Sequence, residues 1–332
     1  MKRNIQQKII KIFAFVSLAL FIAIFIKVGP LYIWQNLMKL SWEKFGILVF
    51  MRFLYWFLRT ITWRKVFVKF ERAIPFWHLF WARLAGHAVG YLTPSAKIGG
   101  EAVRVLMVDK ANKKKVLASV TVDKTIELLA TILLVVVGVI MAIIKIAMPD
   151  AQKAVFISLA VFVSLLAAYI FNKQRKSFFI WLVDALKKIK IKFKFLEKNR
   201  DKIKETDAYI SDFYSNHKNT FFFVFVLYVL LVLFWTFEIY LTFLFVGAEQ
   251  ITYLDCFLIV TLGTFSFIMP AIPAAIGIYE ITYISLVTLM GIQIDFGVAM
   301  VLMRRIIGLL LAGIGLIPML KKGRFQDFVV RG

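Results

Sequence analysis

Long apolar runs separated by short charged segments dominate the sequence. Six of the runs are long enough to cross a bilayer as helices, because about 20 apolar residues span a hydrocarbon core of roughly 30 Å. The pattern therefore predicts an all-α polytopic membrane protein. The six full spans are predicted at about Ile12–Val28, Phe45–Val68, Val116–Ile144, Ala154–Ile170, Thr220–Val246 and Phe296–Leu320.

A further apolar stretch is interrupted at Leu92–Arg104, which contains Pro94 and the pair Gly99-Gly100. Proline ends a helix by removing a hydrogen-bond donor, and glycine lets the backbone bend or approach another group closely. Free backbone groups at membrane depth are tolerated only where they are buried in protein or line a wet cavity. Broken helices of this kind mark substrate sites in transporters.

A second break at Pro270–Gly277 repeats the first one. The step from Pro94 to Glu101 equals the step from Pro273 to Glu280, and both segments contain an Ile-Gly dipeptide. A long apolar helix with buried charge follows each of them. The sequence therefore predicts two repeats of one unit.

The distribution of Lys and Arg orients these repeats. If the first break re-enters the membrane instead of crossing it, the run Lys113–Lys115 stays on the inner side, as basic segments do. The prediction is thus six full spans plus two re-entrant broken helices in an inverted repeat, in the inner (cytoplasmic) membrane, with both termini cytoplasmic. The predicted divisions are 1–172 (first repeat, with the fourth span leading into the second), 173–218 (basic cytoplasmic loop with an amphipathic helix) and 219–332 (rest of the second repeat, with a re-entrant loop at 253–292 and a last span at 296–320).

Composition narrows the class of protein further. A chain that is 61% hydrophobic, with a net charge of +23, is not a soluble globular domain. Its cations lie beside spans and not on one basic module, which favours anionic lipid headgroups over nucleic acid as the partner. The single Cys256 excludes an internal disulfide and a multi-cysteine metal site.

Charged side chains within the spans and at the breaks are the candidate substrate-binding residues, because charge at membrane depth usually faces a partner or a cavity. Arginine binds phosphate through two hydrogen bonds, and a helix that begins at a glycine pair points free N–H groups at an anion. The carboxylates could take the cationic part of a zwitterionic or aminoacylated lipid. The candidates are Arg52, Arg59, Lys97, Gly99, Gly100, Glu101, Arg104, Asp123, Glu127, Glu280, Arg304 and Arg305.

These charges can instead be ion pairs that only hold the broken segments in place. Arg104 can pair with Asp123 or Glu127, and Glu280 can pair with Arg304 or Arg305. His78 and His87 do not share a helix face cleanly, so we expect them to pack and not to bind metal. We find no phosphate loop, nucleophile elbow or zinc motif, and predict no cofactor, metal or catalytic residue.

The two breaks resemble motifs of the lysylphosphatidylglycerol synthase transmembrane family, the flippase half of the multiple peptide resistance factor proteins. The first motif matches from Thr93-Pro94 through Gly99-Gly100-Glu101 to Arg104, with Asp123 at the head of the following span. The second resembles Pro-Gly-Gly-x-Gly-x-x-Glu and keeps Pro273, Gly277 and Glu280, whereas Ala274 and Ala275 replace the glycine pair. Arg304 or Arg305 matches the arginine expected in the last span.

The resemblance implies a flippase-like lipid translocase that moves an aminoacylated or other phosphate-bearing lipid between leaflets, with a role in resistance to antimicrobial peptides. In full-length relatives a separate soluble domain transfers the amino acid. No polar segment here has that size, so we expect no enzymatic activity, and a lysyltransferase label would follow from the family name alone. The expected partners are the membrane, an anionic or aminoacylated phospholipid, and a separate synthase or a second copy of the chain.

Three other functions fit the same pattern. Inverted repeats also occur in secondary transporters of small polar solutes. A membrane-embedded aminoacyl or glycosyl transferase and a scaffold without transport are the remaining alternatives. A lipid route would be open sideways to the bilayer, whereas a solute route would be closed to lipid.

Overall fold

The computed structural model describes Ile22, Ile26 and residues 41–71, 74–93, 98–108, 111–146, 149–188, 197, 199–265 and 277–320. In these ranges the regular structure is helical, and they contain no strand. The predicted first span lies outside the described residues except for Ile22 and Ile26, which are helical. The helices are α1 (Trp42–Phe67), α2 (Phe76–Leu92), α3 (Ile98–Met107), α4 (Lys113–Lys145), α5 (Asp150–Gln174), α6 (Phe178–Lys188), α7 (Arg200–Asn216), α8 (Lys218–Phe245), α9 (Tyr253–Gly263), α10 (Ile278–Leu289) and α11 (Ile294–Leu320).

Five of these helices, α1, α4, α5, α8 and α11, are long and apolar enough to cross a membrane. They coincide with the second to sixth predicted spans, so the all-α polytopic fold is confirmed. Helix α4 has 33 residues and is about 50 Å long at 1.5 Å per residue. It therefore exceeds the hydrocarbon core, which requires a tilt or an end that projects beyond it.

Short helices flank both breaks. Helices α2 and α3 have 17 and 10 residues, and α9 and α10 have 11 and 12. At 1.5 Å per residue none of the four reaches the roughly 30 Å of a bilayer core. These lengths agree with helices that enter and leave on one side, but the re-entrant course and the inverted repeat stay predictions. The tips at 94–97 and 266–276 lie outside the described residues.

The described residues form two compact units, and neither is continuous in sequence. Unit 1 comprises Met1–Thr60, Pro75–Met107 and Leu231–Gly332, and unit 2 comprises Ile61–Ile74 and Val108–Leu230. In unit 1, α2 packs on α3 and on α11, α10 packs on α11, and α9 packs on α10. The predicted division into two sequence repeats stays a prediction.

Glycines allow the closest helix contacts of unit 1. Gly86 of α2 and Gly100 of α3 lie so close that a Cβ atom on either would overlap the carbonyl oxygen of the other. Gly315 of α11 similarly lies so close to the Leu84 carbonyl oxygen that a Cβ atom on Gly315 would overlap it. Small residues bring membrane helices together in this way, since the apolar side chains gain little by leaving lipid.

Unit 2 is built on α4, which packs against α5 and α7. A buried polar cluster joins the three helices, because Thr125 Oγ1 and Tyr214 OH both donate to Gln174 Oε1, at 2.8 and 2.9 Å. The Trp63 indole also donates to Ser119 Oγ at 3.2 Å. Each of these hydrogen bonds satisfies a polar atom that lipid could not satisfy.

The basic segment at 173–218 contains two helices, α6 and α7. Helix α6 lies where an amphipathic helix was predicted, whereas α7 was not predicted because its sequence is polar. Asp207 of α7 accepts the N–H groups of Phe179 and Ile180 at 2.9 Å each and so caps the first turn of α6. Burial raises the pKa of the Asp207 carboxyl, and the two backbone donors oppose this shift.

The contact between Gly86 and Gly100 predicts a position-dependent effect of adding one methyl group. Gly100→Ala is expected to lower the free energy of unfolding by about 1–3 kcal/mol, because the backbone of α2 has to move. Gly46→Ala in α1 is the matched control, since nothing lies within 4 Å of its missing Cβ, and alanine there is expected to be neutral or stabilising. Thermal unfolding in detergent measures both. Equal stability of the two variants would contradict the close packing of α2 and α3.

Candidate functional site

Most of the candidate residues belong to unit 1. Lys97 lies outside the described residues, and Asp123 and Glu127 belong to unit 2. The candidates in unit 1 are Arg52, Arg59, Gly99, Gly100, Glu101, Arg104, Glu280, Arg304 and Arg305.

At the first break, the first turn of α3 contains the glycine pair and an acid. Gly100 is buried against α2, and Glu101 lies in the first turn of α3, where a negative charge complements the helix dipole. Arg104 follows one turn later, and its Nη1 donates to Glu101 Oε2 at 2.5 Å. The Arg104 side chain is only 4% exposed, so this ion pair neutralises a buried cation within one helix.

At the second break, Gly277 begins α10 with a φ of 91°, a left-handed conformation that favours glycine. Its N–H donates to Glu280 Oε2 at 2.7 Å. Glu280 therefore caps the N-terminus of its own helix. The preceding motif residues at 270–276 lie outside the described residues.

One arginine connects the helices at both breaks. Arg305 Nε donates to Glu280 Oε1 at 2.6 Å, and Arg305 Nη1 donates to Tyr91 OH at 3.2 Å. Tyr91 lies at the end of α2, immediately before the first break. The predicted pairing of Glu280 with an arginine of the last span is thus confirmed for Arg305, which joins α11 to both α10 and α2.

The adjacent arginine has a different environment. Arg304 Nε donates to Tyr279 OH at 2.7 Å, and its guanidinium group lies 5.0 Å from the centre of the Trp235 ring. Neighbouring residues point about 100° apart around a helix, so Arg304 and Arg305 contact different helices. Stacking on an aromatic ring stabilises a cation at low hydration.

Arg52 and Arg59 share one face of α1, as their spacing predicted. Their guanidinium groups lie 5.3 and 5.6 Å from the centre of the Tyr55 ring. Arg52 also donates from Nε and Nη2 to Glu238 Oε1, at 3.1 and 2.7 Å. This ion pair connects α1 to α8 at a place where both side chains are largely buried.

Positive charge exceeds negative charge in the interior of unit 1. Among the described residues, the helices of this unit carry six arginines and four acids that are buried or half-buried, an excess of 6 − 4 = +2. They are Arg52, Arg59, Arg83, Arg104, Arg304 and Arg305, against Glu101, Glu238, Asp255 and Glu280. Such an excess at membrane depth favours the binding of an anion.

The two candidate acids of unit 2, Asp123 and Glu127, form hydrogen bonds with residues that are not candidates. Asp123 is fully buried and accepts a hydrogen bond from Tyr228 OH at 2.6 Å. Glu127 accepts one from Lys124 Nζ at 3.0 Å. The proposed pairing of Arg104 with either acid stays a prediction.

Aromatic partners are the part of the site that the sequence analysis missed. Tyr91, Tyr228 and Tyr279 each hydrogen-bond to a charged candidate residue, and Trp235 stacks on one. Tyr91 and Tyr279 stand directly beside the two breaks, which is the one signal that could have identified them. The histidines pack as expected: His87 stacks on Trp56 with 4.1 Å between the ring centres, and His78 Nε2 lies 3.2 Å from the Met107 carbonyl oxygen.

The sequence model of one protein family, described as the lysylphosphatidylglycerol synthase TM region, matches residues 9–315. The chain belongs to this family. A search of curated proteins found no match. The matched region includes both breaks and the two arginines of α11. Membership thus connects a multi-pass membrane fold with a family named for a membrane lipid.

The Arg305–Glu280 contact predicts that these two residues are strongly coupled in their effect on the stability of the protein. Arg305→Gln and Glu280→Gln are each expected to destabilise the protein, because each leaves an uncompensated charge that is largely shielded from solvent. The double variant should lose less than the sum, with a coupling free energy of about 1–3 kcal/mol. A double-mutant cycle on thermal unfolding in nanodiscs measures this coupling.

The exposed pair Arg200–Asp184 provides the control cycle, since both side chains are almost half exposed and such pairs contribute little. Additive effects at Arg305 and Glu280, equal to those of the control cycle, would contradict the role of this ion pair in holding the second break.

Proposed function

We propose that this protein is a lipid translocase that moves a phosphate-bearing lipid, in particular an aminoacylated phosphatidylglycerol, between the leaflets of the cell membrane. The headgroup would pass along the buried arginines of unit 1, while the acyl chains stay in the bilayer. The observation that carries this proposal is the excess of two positive charges among the buried and half-buried described residues of unit 1.

The charge excess supports a substrate with an anionic phosphate group for an energetic reason. A buried cation without a counterion is costly in a bilayer, so the unit gains stability when a phosphate group enters it. Arginine suits phosphate because its planar fork donates two parallel hydrogen bonds. The substrate-binding residues of the proposal are the predicted candidates that belong to unit 1, with Arg52, Arg104 and Arg304 as the main phosphate ligands.

Interrupted helices support a route for the headgroup. Transporters place their substrates where broken helices meet, because the free backbone groups there can bind polar groups. In this chain Arg305 contacts α2, which precedes the first break, and α10, which follows the second. A substrate that competes for this arginine would therefore act on both breaks together.

The proposal includes an orientation and a consequence for the cell. Both termini and the basic segment with α6 and α7 would lie in the cytoplasm, following the positive-inside rule. Outward movement of an aminoacylated lipid would make the outer leaflet less negative and weaken its attraction for cationic peptides. A separate synthase that supplies the lipid, or a second copy of the chain, would be the protein partner.

Lipid exchange in vesicles tests this function. The purified protein is placed in liposomes with fluorescent phosphatidylglycerol or fluorescent lysyl-phosphatidylglycerol, without nucleotide, and the fraction that an external quencher reaches is followed over time. The wild type is expected to exchange at least one lipid faster than empty liposomes do. Arg304→Ala should reduce this exchange about tenfold or more, since it removes hydrogen bonds to a charged group.

Arg200→Ala on the exposed surface of α7 is the matched control and should exchange lipid at the rate of the wild type. Normal exchange by folded Arg52→Ala, Arg104→Ala and Arg304→Ala proteins would contradict the proposed route. Uptake of a polar solute by vesicles that show no lipid exchange would favour a secondary transporter instead.

A further inference from the structure

The Arg52–Glu238 ion pair leaves one oxygen of a buried carboxylate open. Both hydrogen bonds from Arg52 go to Glu238 Oε1. Glu238 Oε2 is buried and has no hydrogen-bond partner among the described residues, although the side chain is only 2% exposed. A buried carboxylate oxygen without a donor is unfavourable unless a ligand supplies one.

Three residues that interact with the Arg52–Glu238 pair or with Arg304 have open hydrogen-bond donors. Arg304 interacts electrostatically with Glu238, and its Nη1 is buried without a hydrogen-bond partner in the described part of the chain. The same holds for the Tyr283 hydroxyl, which interacts with both Arg52 and Arg304. Trp235 Nε1, on the ring beneath the Arg304 guanidinium, is a third open donor.

The hydrogen-bonding capacity of these four groups indicates what kind of ligand could bind to all of them. The guanidinium and the indole can only donate, the hydroxyl can donate, and the carboxylate oxygen can only accept. A complementary ligand is therefore rich in acceptors and carries one strong donor beside them. A phosphodiester supplies the acceptors, and a primary ammonium group supplies the donor together with the charge that the carboxylate prefers.

Arg52 fixes the direction of the open oxygen. Two hydrogen bonds from one guanidinium to Oε1 restrict the rotation of the Glu238 carboxylate. The open oxygen thus has a set orientation before any ligand arrives, which lowers the entropy lost on binding.

We propose that Glu238 determines substrate specificity, with its Oε2 accepting a hydrogen bond from the ammonium group of a lipid whose phosphodiester binds Arg304. The preferred substrate is a dipolar lipid with both a phosphate and an amine in its headgroup. This inference rests on the proposed translocase function. It adds to that function a basis for distinguishing aminoacylated phosphatidylglycerol from phosphatidylglycerol itself, which has the phosphate and hydroxyl groups but no amine.

Glu238→Gln tests this assignment with little change of shape. The amide keeps one oxygen for Arg52 and places an NH₂ donor where the open oxygen was. Exchange of fluorescent lysyl-phosphatidylglycerol and phosphatidylglycerol is measured in separate liposomes, and the ratio of the two rates is compared. The wild type is expected to prefer the lysyl lipid, and Glu238→Gln should reduce the ratio about tenfold, while phosphatidylglycerol still exchanges.

Two further variants control for charge and folding. Glu249→Gln removes an exposed carboxylate of the same unit and should leave the ratio unchanged. Glu238→Asp keeps the charge and should keep the preference for the lysyl lipid. A wild type without preference, an unchanged ratio in Glu238→Gln, an equal loss of both lipids, or a lost preference in Glu238→Asp would each overturn the inference.

Direct binding separates this inference from the translocase function. If wild-type vesicles exchange neither lipid, the translocase proposal fails, and native mass spectrometry of the detergent-solubilised protein with each lipid then decides the role of Glu238. Preferred binding of lysyl-phosphatidylglycerol that is lost in Glu238→Gln would support a dipolar headgroup site without transport. Equal binding of both lipids by the wild type would overturn it.

Discussion

A charge in a bilayer has to find its partner inside the protein, because the lipid offers neither hydrogen bonds nor dielectric screening. This constraint organises unit 1. Arg305 joins three helices through Glu280 and Tyr91, and Arg52 joins α1 to α8 through Glu238. The same constraint limits how the helices can move, since separating any of these pairs would leave a charge in hydrocarbon. Under the proposed translocase function, a substrate that replaces one of these partners would remove that limit.

Sequence reasoning predicted the spans well because length and apolarity alone decide whether a helix can cross a membrane. It also predicted that Glu280 pairs with an arginine of the last span, since both are costly charges in apolar surroundings. It could not choose between Arg304 and Arg305, because that choice depends on the rotation of α11 about its axis. The structure assigns Arg305 to Glu280 and Arg304 to Tyr279.

The remaining misses have physical causes. Tyrosines such as Tyr228 and Tyr91 look like ordinary membrane aromatics in sequence, and their hydroxyl groups acquire a role only when a charge from a distant segment lies beside them. Helix α7 was missed because it has no long apolar run, and its burial comes from a few residues such as Ile210 and Phe213 that pack within unit 2. The proposed lipid and its direction of movement depend on binding energies, which sequence patterns do not encode.

The capping of α10 by Glu280 gives the second break an anion of its own. A helix N-terminus can attract a free anion, but at α10 the chain supplies its own, because Glu280 accepts the Gly277 N–H and is held by Arg305. The Glu280 carboxylate thus competes with any free anion for the N-terminus of α10, and it has a very high local concentration because it belongs to the same helix. A phosphate group could bind this N-terminus only by displacing the Glu280 carboxylate, which stays attached to the helix. The displacement would therefore be reversible, because the carboxylate returns to the N-terminus when the phosphate leaves.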